Sequence, residues 1–350
     1  MALIVNAFAK ADICDVALFR RMAAVAVTLP IGKSDSQNVA VILNAYAKVD
    51  LFEAEPLVAT LVEKLAGDIP RLDASSTNPQ AIGNIVNAYA RFLQSTTAAD
   101  SATEPEAAAT VPRLAPEGEL ELQGMQLIAH MAALALALPA AEYDAQSVTL
   151  VSNAFSRAGL SDLELFQYLS RVARQLPPGE YEAQGAANML NSLAKACSLD
   201  EELLSHMALA ARAMPRESFT TQSLVLMVSA LARAERCNAA LLHLIIDLAL
   251  DIEQPVWTGQ SISNLLNAVA RLHELSFASD DDVRLPPPLP AASGRRARAR
   301  DVAAAAAAQV ERLFAHMSGV MQATEVYMWE GVRPWPGPRA ALARAWEGGA

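Results

Sequence analysis

The sequence predicts an all-α fold, an α-α superhelix (solenoid) of about seven helix-turn-helix repeats of 38 residues, on three observations. A five-residue string recurs along the chain at near-constant spacing, a glutamine stands seven positions before almost every copy, and prolines fall after every second helical stretch. A repeat of this length is one supersecondary unit that cannot bury its apolar face alone, so it stacks on its neighbours.

The string begins as Asn6-Ala7-Phe8-Ala9-Lys10 and returns as Asn44-Ala45-Tyr46-Ala47-Lys48, Asn87-Ala88-Tyr89-Ala90-Arg91, Asn153-Ala154-Phe155-Ser156-Arg157, Asn191-Ser192-Leu193-Ala194-Lys195 and Asn267-Ala268-Val269-Ala270-Arg271. Ser229-Ala230-Leu231-Ala232-Arg233 changes only its first residue. The glutamines are Gln37, Gln80, Gln146, Gln184, Gln222 and Gln260; in the first copy the position falls before Met1. From 6 to 44, 153 to 191, 191 to 229 and 229 to 267 the step is 38, from 44 to 87 it is 43, and from 87 to 153 it is 66.

Each repeat reads as a helix A carrying the Gln and Asn, then a helix B such as Leu51 to Leu65, Leu160 to Leu176, Leu199 to Met214 or Asn238 to Leu250. Pro30, Pro70, Pro139, Pro177, Pro178, Pro215 and Pro255 follow the B helices, where a residue unable to continue a helix is expected. The array spans 1–323, with insertions at about 94–118 and 276–301. The first, Ser95 to Gly118, lacks helical periodicity and reads as a disordered acidic loop. The second carries Pro286, Pro287 and Pro288 and a basic run from Arg295 to Arg300, which reads either as a flexible phosphate binder or as a solvated loop. Both fall between helix A and helix B and should emerge on one side. Residues 324–350 read as a degenerate repeat, a cap or a disordered tail, with Ala340 to Arg344 faintly echoing the motif.

Numbering each A helix from its glutamine at 0 and turning about 100° per residue puts the Asn at +7 and the Lys or Arg at +11 within about 20° of that glutamine. All three therefore share one stripe. Positions +2, +5, +6 and +9, such as Val39, Ile42, Leu43 and Tyr46 or Ile262, Leu265, Leu266 and Val269, form the opposite, core face. Positions +8 and +10 are Ala or Ser and suit close approach of neighbouring A helices. The stripes should then line up outward, as on the concave surface of a solenoid.

Two readings of the stripe stay open. Asn and Gln at matched heights could form a helix-to-helix hydrogen-bond ladder, with the basic residue complementing the helix dipole. Alternatively Lys10, Lys48, Arg91, Arg157, Lys195, Arg233 and Arg271 make a groove for single-stranded RNA, with Gln37, Asn44, Gln80, Asn87, Gln146, Asn153, Gln184, Asn191, Gln222, Gln260 and Asn267 beside them. Seven repeats spaced at roughly 8–10 Å give a track of about 60 Å, fit for some seven nucleotides at about one base per repeat. The +4 position varies, Val41, Asn84, Leu150, Asn188, Leu226 and Asn264, which is the pattern either of a base-reading residue or of a tolerant surface.

The string Gln260 to Arg271 resembles the first helix of octotricopeptide repeats, and of the heptatricopeptide arrays of RAP-domain proteins. The resemblance runs from Met1 to about Ala323, and the 38-residue period fits the octotricopeptide family best. It implies an organellar RNA-binding factor, in mitochondrion or plastid, acting in RNA processing, stability or translation of transcripts or sitting in a mitochondrial ribosome, with RNA held on the first helix. Its partners would be single-stranded or ribosomal RNA and proteins of a ribonucleoprotein complex. The chain departs from the family in carrying Asn at +7 where an aromatic is frequent, and in lacking the RAP domain. It opens inside a helix A without a transit peptide, so a fragment of a longer protein is expected.

A net charge of −11 and a pI near 5.0 run against general nucleic-acid binding and favour a competing reading, an armadillo-like scaffold holding an extended peptide. No catalytic signature is present, so the expectation is a protein that is not an enzyme and needs no cofactor or metal. His130, His206, His243 and His316 recur in B helices of different repeats and cannot converge on one zinc ion. Cys14, Cys197 and Cys237 are odd in number, far apart and read as reduced thiols. The longest apolar stretches, such as Met131 to Ala141, are too short to span a bilayer.

Overall fold

The computed structural model describes residues 1–28, 36–49, 60–62, 64–65, 67, 69, 72–102, 119–252, 256–281 and 308–320, with only the backbone of 93–102, 119–123 and 273–281. Most of the expected helix from Leu51 to Leu65, the basic run at 295–300 and residues 324–350 lie outside these. The described residues are helical with turns between, and they fall into two compact units, Met1–Leu176 and Pro177–Ala350. The boundary lies inside the expected array, after a helix B and before a helix A.

In the first unit the A helices are α1 (Ala2–Lys10), α3 (Ser36–Val49), α4 (Pro79–Ala102) and α6 (Ala145–Arg157), each packed on the next; α2 (Val16–Thr28), α5 (Glu119–Ala137) and α7 (Leu163–Gln175) are B helices. In the second unit α8 (Ala183–Lys195), α10 (Thr221–Ala234) and α12 (Gly259–Asp281) are A helices packed in series. α9 (Glu201–Ala213) and α11 (Ala239–Asp251) are their B partners, followed by a helical segment at 308–320. This is the expected α-α solenoid pattern of helix pairs.

Local sequence sets these boundaries. Asp144 and Thr220 begin α6 and α10 with capping boxes, their side chains accepting from the backbone N–H of Ser147 and Ser223. Asp162, Asp200 and Asn238 cap α7, α9 and α11 by accepting from the N–H three residues on. After B helices the chain turns through short 3₁₀ segments, Ala140–Glu142, Pro178–Glu180 and Arg216–Ser218. Each ends on an aromatic residue that is buried, Tyr143, Tyr181 and Phe219, and Trp257 holds the same register before α12. The Tyr143 hydroxyl donates to the Ala135 carbonyl at 2.8 Å, tying that linker back to α5.

The core lies on the face that the 3.6-residue period assigns: Val39, Ile42, Leu43 and Tyr46 in α3 and Ile262, Leu265, Leu266 and Val269 in α12 are all buried. Tyr46 packs edge-on against Phe19 at 5.3 Å between ring centres and donates its hydroxyl to the Phe19 carbonyl at 2.7 Å. Small residues let A helices approach. A methyl group at Gly83 in α4 would stand 2.6 Å from Leu150 Cγ of α6, so that contact requires glycine.

The insertions begin later than the sequence suggests. α4 runs on through Ser95 to Ala102, and α12 through Phe277 to Asp281, both expected as loop. Neither stretch contains proline or glycine, and adding residues to an existing helix avoids the nucleation penalty. The first prolines after them are Pro105 and Pro286.

Gly83→Val should lower stability by about 1–3 kcal/mol in chemical denaturation, because the added branch meets Leu150 and that overlap outweighs valine's slightly better helix propensity. Hydrogen bonds from Ser147, its backbone N–H foremost, hold the Asp144 carboxyl below the usual carboxylate range. Its contribution is therefore present above the unfolded-state value near ~3.9 and is lost as pH falls through the depressed folded value. Asp144→Ala should cost about 1 kcal/mol at neutral pH, whereas Asp144→Asn should keep the cap and lose this part of the acid sensitivity, read as urea midpoints at pH 7 and pH 3.

Candidate functional site

The stripe predicted on the A helices is a surface feature in both units. Gln37, Gln80, Gln146, Gln184, Gln222 and Gln260 are exposed, and so are Lys10, Lys48, Arg91, Arg157, Lys195, Arg233 and Arg271. Asn44, Asn264 and Asn267 are exposed, while Asn84, Asn87, Asn153, Asn188 and Asn191 are half-buried. The small +8 and +10 residues beside the stripe are buried in Ala45, Ala47, Ala88, Ala90, Ala154, Ser192, Ala194, Ala230, Ala232 and Ala268. The polar residues thus sit above a tight apolar seam.

The basic residues are not equivalent. Lys48 of α3 pairs with Asp12, just past α1, at 2.9 Å. Arg271 of α12 pairs with Glu235, just past α10, at 2.7 Å. Arg233 of α10 donates to Asn191 Oδ1 of α8 at 2.7 Å. Each reaches back to the preceding repeat. Lys10, Arg91, Arg157 and Lys195 have no hydrogen-bond or ion-pair partner among the described residues. Five of the seven stand in the last turn of their helix, where a cation is favoured by the helix dipole.

No Asn-to-Asn ladder links neighbouring A helices among the described residues. Gln184 donates to Asn188 Oδ1 within α8 at 3.3 Å, and Asn87 Oδ1 is enclosed with no partner. An enclosed amide oxygen without a donor costs about 1–3 kcal/mol. The stripe is thus only partly occupied by contacts within the protein.

A left-handed residue closes four A helices, α1, α6, α8 and α10, and sequence reasoning passed over it. Asp12, Cys197 and Glu235 have φ of 54°, 53° and 52°, and Gly159 has 77°. All four hold the +13 register. Two of them, Asp12 and Glu235, are the carboxylates that meet Lys48 and Arg271. The signal was Gly159, placed where a helix C-terminus favours glycine, in register with acidic residues elsewhere. α4 continues as helix through this register, so Arg157 of α6 finds no such turn behind it.

Residues 123–272 match the model of one protein family, described as RNA-editing substrate-binding complex 6 protein. The matched stretch is under half of the chain; it begins in α5, ends in α12, and contains the stripe residues from Gln146 to Arg271. The similarity is to a helical, RNA-associated family, while the octotricopeptide assignment itself is a finer statement than this match. No curated protein matches the chain.

The histidines are spread among separate contacts. His130 Nε2 lies 3.1 Å from the Leu72 carbonyl, and the His206 ring stands edge-on to Tyr181 at 6.0 Å. Among the described residues no three His, Cys, Asp or Glu side chains gather as a metal cage, and no helix is long and apolar enough to cross a membrane. None of the three cysteines forms a disulfide; Cys14 and Cys197 are exposed and Cys237 is half-buried.

Cys197→Gly should raise stability by about 0.5–1 kcal/mol, since glycine adopts the left-handed turn without a Cβ penalty. Cys197→Val should lower it. Thermal unfolding of both variants checks the pair; equal midpoints would mean that the turn carries no strain.

Proposed function

We propose that this chain binds single-stranded RNA along the A-helix stripe, in a mitochondrion or plastid, as a non-catalytic subunit of a ribonucleoprotein complex that processes, stabilises or translates transcripts. The observation that carries this reading is a basic residue at +11 of every repeat, exposed each time, in a chain of net charge −11. Surface cations in register along packed helices give a track for a phosphate backbone, and the flanking amides offer hydrogen bonds to bases or riboses. Similarity over 123–272 to a family named for binding RNA-editing substrates supports the same reading. RNA editing is accordingly the class of processing we favour, and octotricopeptide-like repeats are the kinship we favour.

Phosphate contact should rest unequally on the seven cations. Among the described residues Arg91 and Arg157, on adjacent helices, have no partner, whereas Arg233 and Arg271 already hold one. The acidic balance supports a second reading, an armadillo-like scaffold for a basic peptide.

A fluorescence-anisotropy titration against a randomised single-stranded RNA pool, at about 50 and 200 mM salt, separates the two. We expect salt-sensitive binding whose slope falls by about two in Arg91→Ala/Arg157→Ala and by less in Arg233→Ala/Arg271→Ala. Binding unaffected by the first pair would remove the stripe as the site, and no binding at low salt would favour the scaffold.

A further inference from the structure

The stripe is constant at 0, +7 and +11 in nearly every repeat, so those positions cannot distinguish one base from another. Discrimination needs a residue that varies between repeats and reaches the surface. At +3, Ala40, Gly83, Thr149 and Ala187 are buried, and only Val225, half-buried, and Ser263, exposed, reach the surface. At +4 the side chains are half-buried or exposed, and their order is Val41, Asn84, Leu150, Asn188, Leu226, Asn264. Aliphatic and amide residues alternate without exception over six repeats. The alternation holds inside each compact unit, as Val41, Asn84, Leu150 in the first and Asn188, Leu226, Asn264 in the second. Leu3, at this register in the first repeat, adds a second aliphatic residue before the series begins.

The two residue kinds offer different chemistry. An Asn amide carries a donor pair and an acceptor and can satisfy a base edge at two points, which is how amide side chains tell bases apart. In α8 the amide of Asn188 is steadied by Gln184, whose Nε2 donates to its Oδ1 at 3.3 Å. Gln80 and Gln260 stand four residues before Asn84 and Asn264 in the same way. A Leu or Val offers only apolar contact, which every base accepts. Leu150 also has a packing duty, lying against the bare Cα of Gly83.

We infer that within each unit the RNA target is read with a period of two nucleotides: a hydrogen-bonded, selective position opposite Asn84 lies between permissive ones opposite Val41 and Leu150, and selective positions opposite Asn188 and Asn264 flank a permissive one opposite Leu226. This rests on the RNA-binding reading above and adds the form of its sequence preference. The aliphatic positions make the chain tolerant of substitution at every second base, so its targets form a patterned class of RNA segments.

Selection of the full chain against a randomised RNA pool, with sequencing of the retained fraction, tests the period. We expect one constrained position between two unconstrained ones for the first unit, and two constrained positions separated by one unconstrained position for the second. Leu226→Asn should convert the position between those of Asn188 and Asn264 into a constrained one. Asn188→Leu should relax one position, with a loss of discrimination of about 5- to 150-fold there and the other positions unchanged. Circular dichroism of both variants confirms the fold. Retained RNA with contiguous constraint or none, or a profile that neither variant alters, would overturn the two-nucleotide period while leaving RNA binding intact. Failure to retain any RNA at low salt would overturn the binding reading and the period with it.

Discussion

Within each unit, alanine or serine at +8 and +10, with glycine at the tightest contact, lets an A helix bring its backbone against the next, and the rest of the unit is arranged around that approach. Closing the seam buries the aliphatic face beneath it and lifts Gln, Asn and the basic residue onto one surface of each unit. A larger residue anywhere along the seam would push its own pair of helices apart and also shift the stripe out of line. The energy is short-range and repeats from neighbour to neighbour, as in other stacked-repeat proteins. The linkers cooperate: the buried aromatic residue before each A helix, Tyr143, Tyr181, Phe219 or Trp257, fixes where that helix starts and hence the height of its stripe.

Electrostatics modulate this frame without building it. The ion pairs Lys48 with Asp12 and Arg271 with Glu235 are largely exposed, and such pairs are worth no more than about 1 kcal/mol. Their effect is on availability. A guanidinium already paired presents a smaller net charge to an incoming anion than one that stands free, so seven identical positions in the sequence become unequal on the surface. For Lys48 and Arg271 the partner is a carboxylate on the left-handed residue that ends the preceding helix, whereas Arg233 is held by Asn191 of α8.

Much of this was legible in the sequence because it is periodic. The 38-residue step fixed the number of helix pairs, and the core positions of α3 and α12 followed from a 3.6-residue period alone. Features that are not periodic were hidden. The extension of α4 to Ala102 was missed because a run of Ala, Ser and Thr lacks an apolar stripe, yet it also lacks anything to stop a helix. The partners of Lys48, Arg233 and Arg271 were missed because they lie 36 to 42 residues away, across a packing contact, and two of them, Asp12 and Glu235, sit on a left-handed residue that only Gly159 announced. The requirement for glycine at 83 belongs to the distance between two helices and leaves no mark within one repeat.

The length of α4 has a consequence of its own. Its 24 residues make a rod of about 36 Å, against about 20 Å for the 13 residues of its neighbour α6. The helix axis therefore carries the chain about 16 Å beyond Arg91 before residue 103 begins. α4 is a cantilever: anchored in the array over its first half, it runs on for about three turns past Arg91, so the chain leaves the helix at the far end of the rod and not beside the stripe.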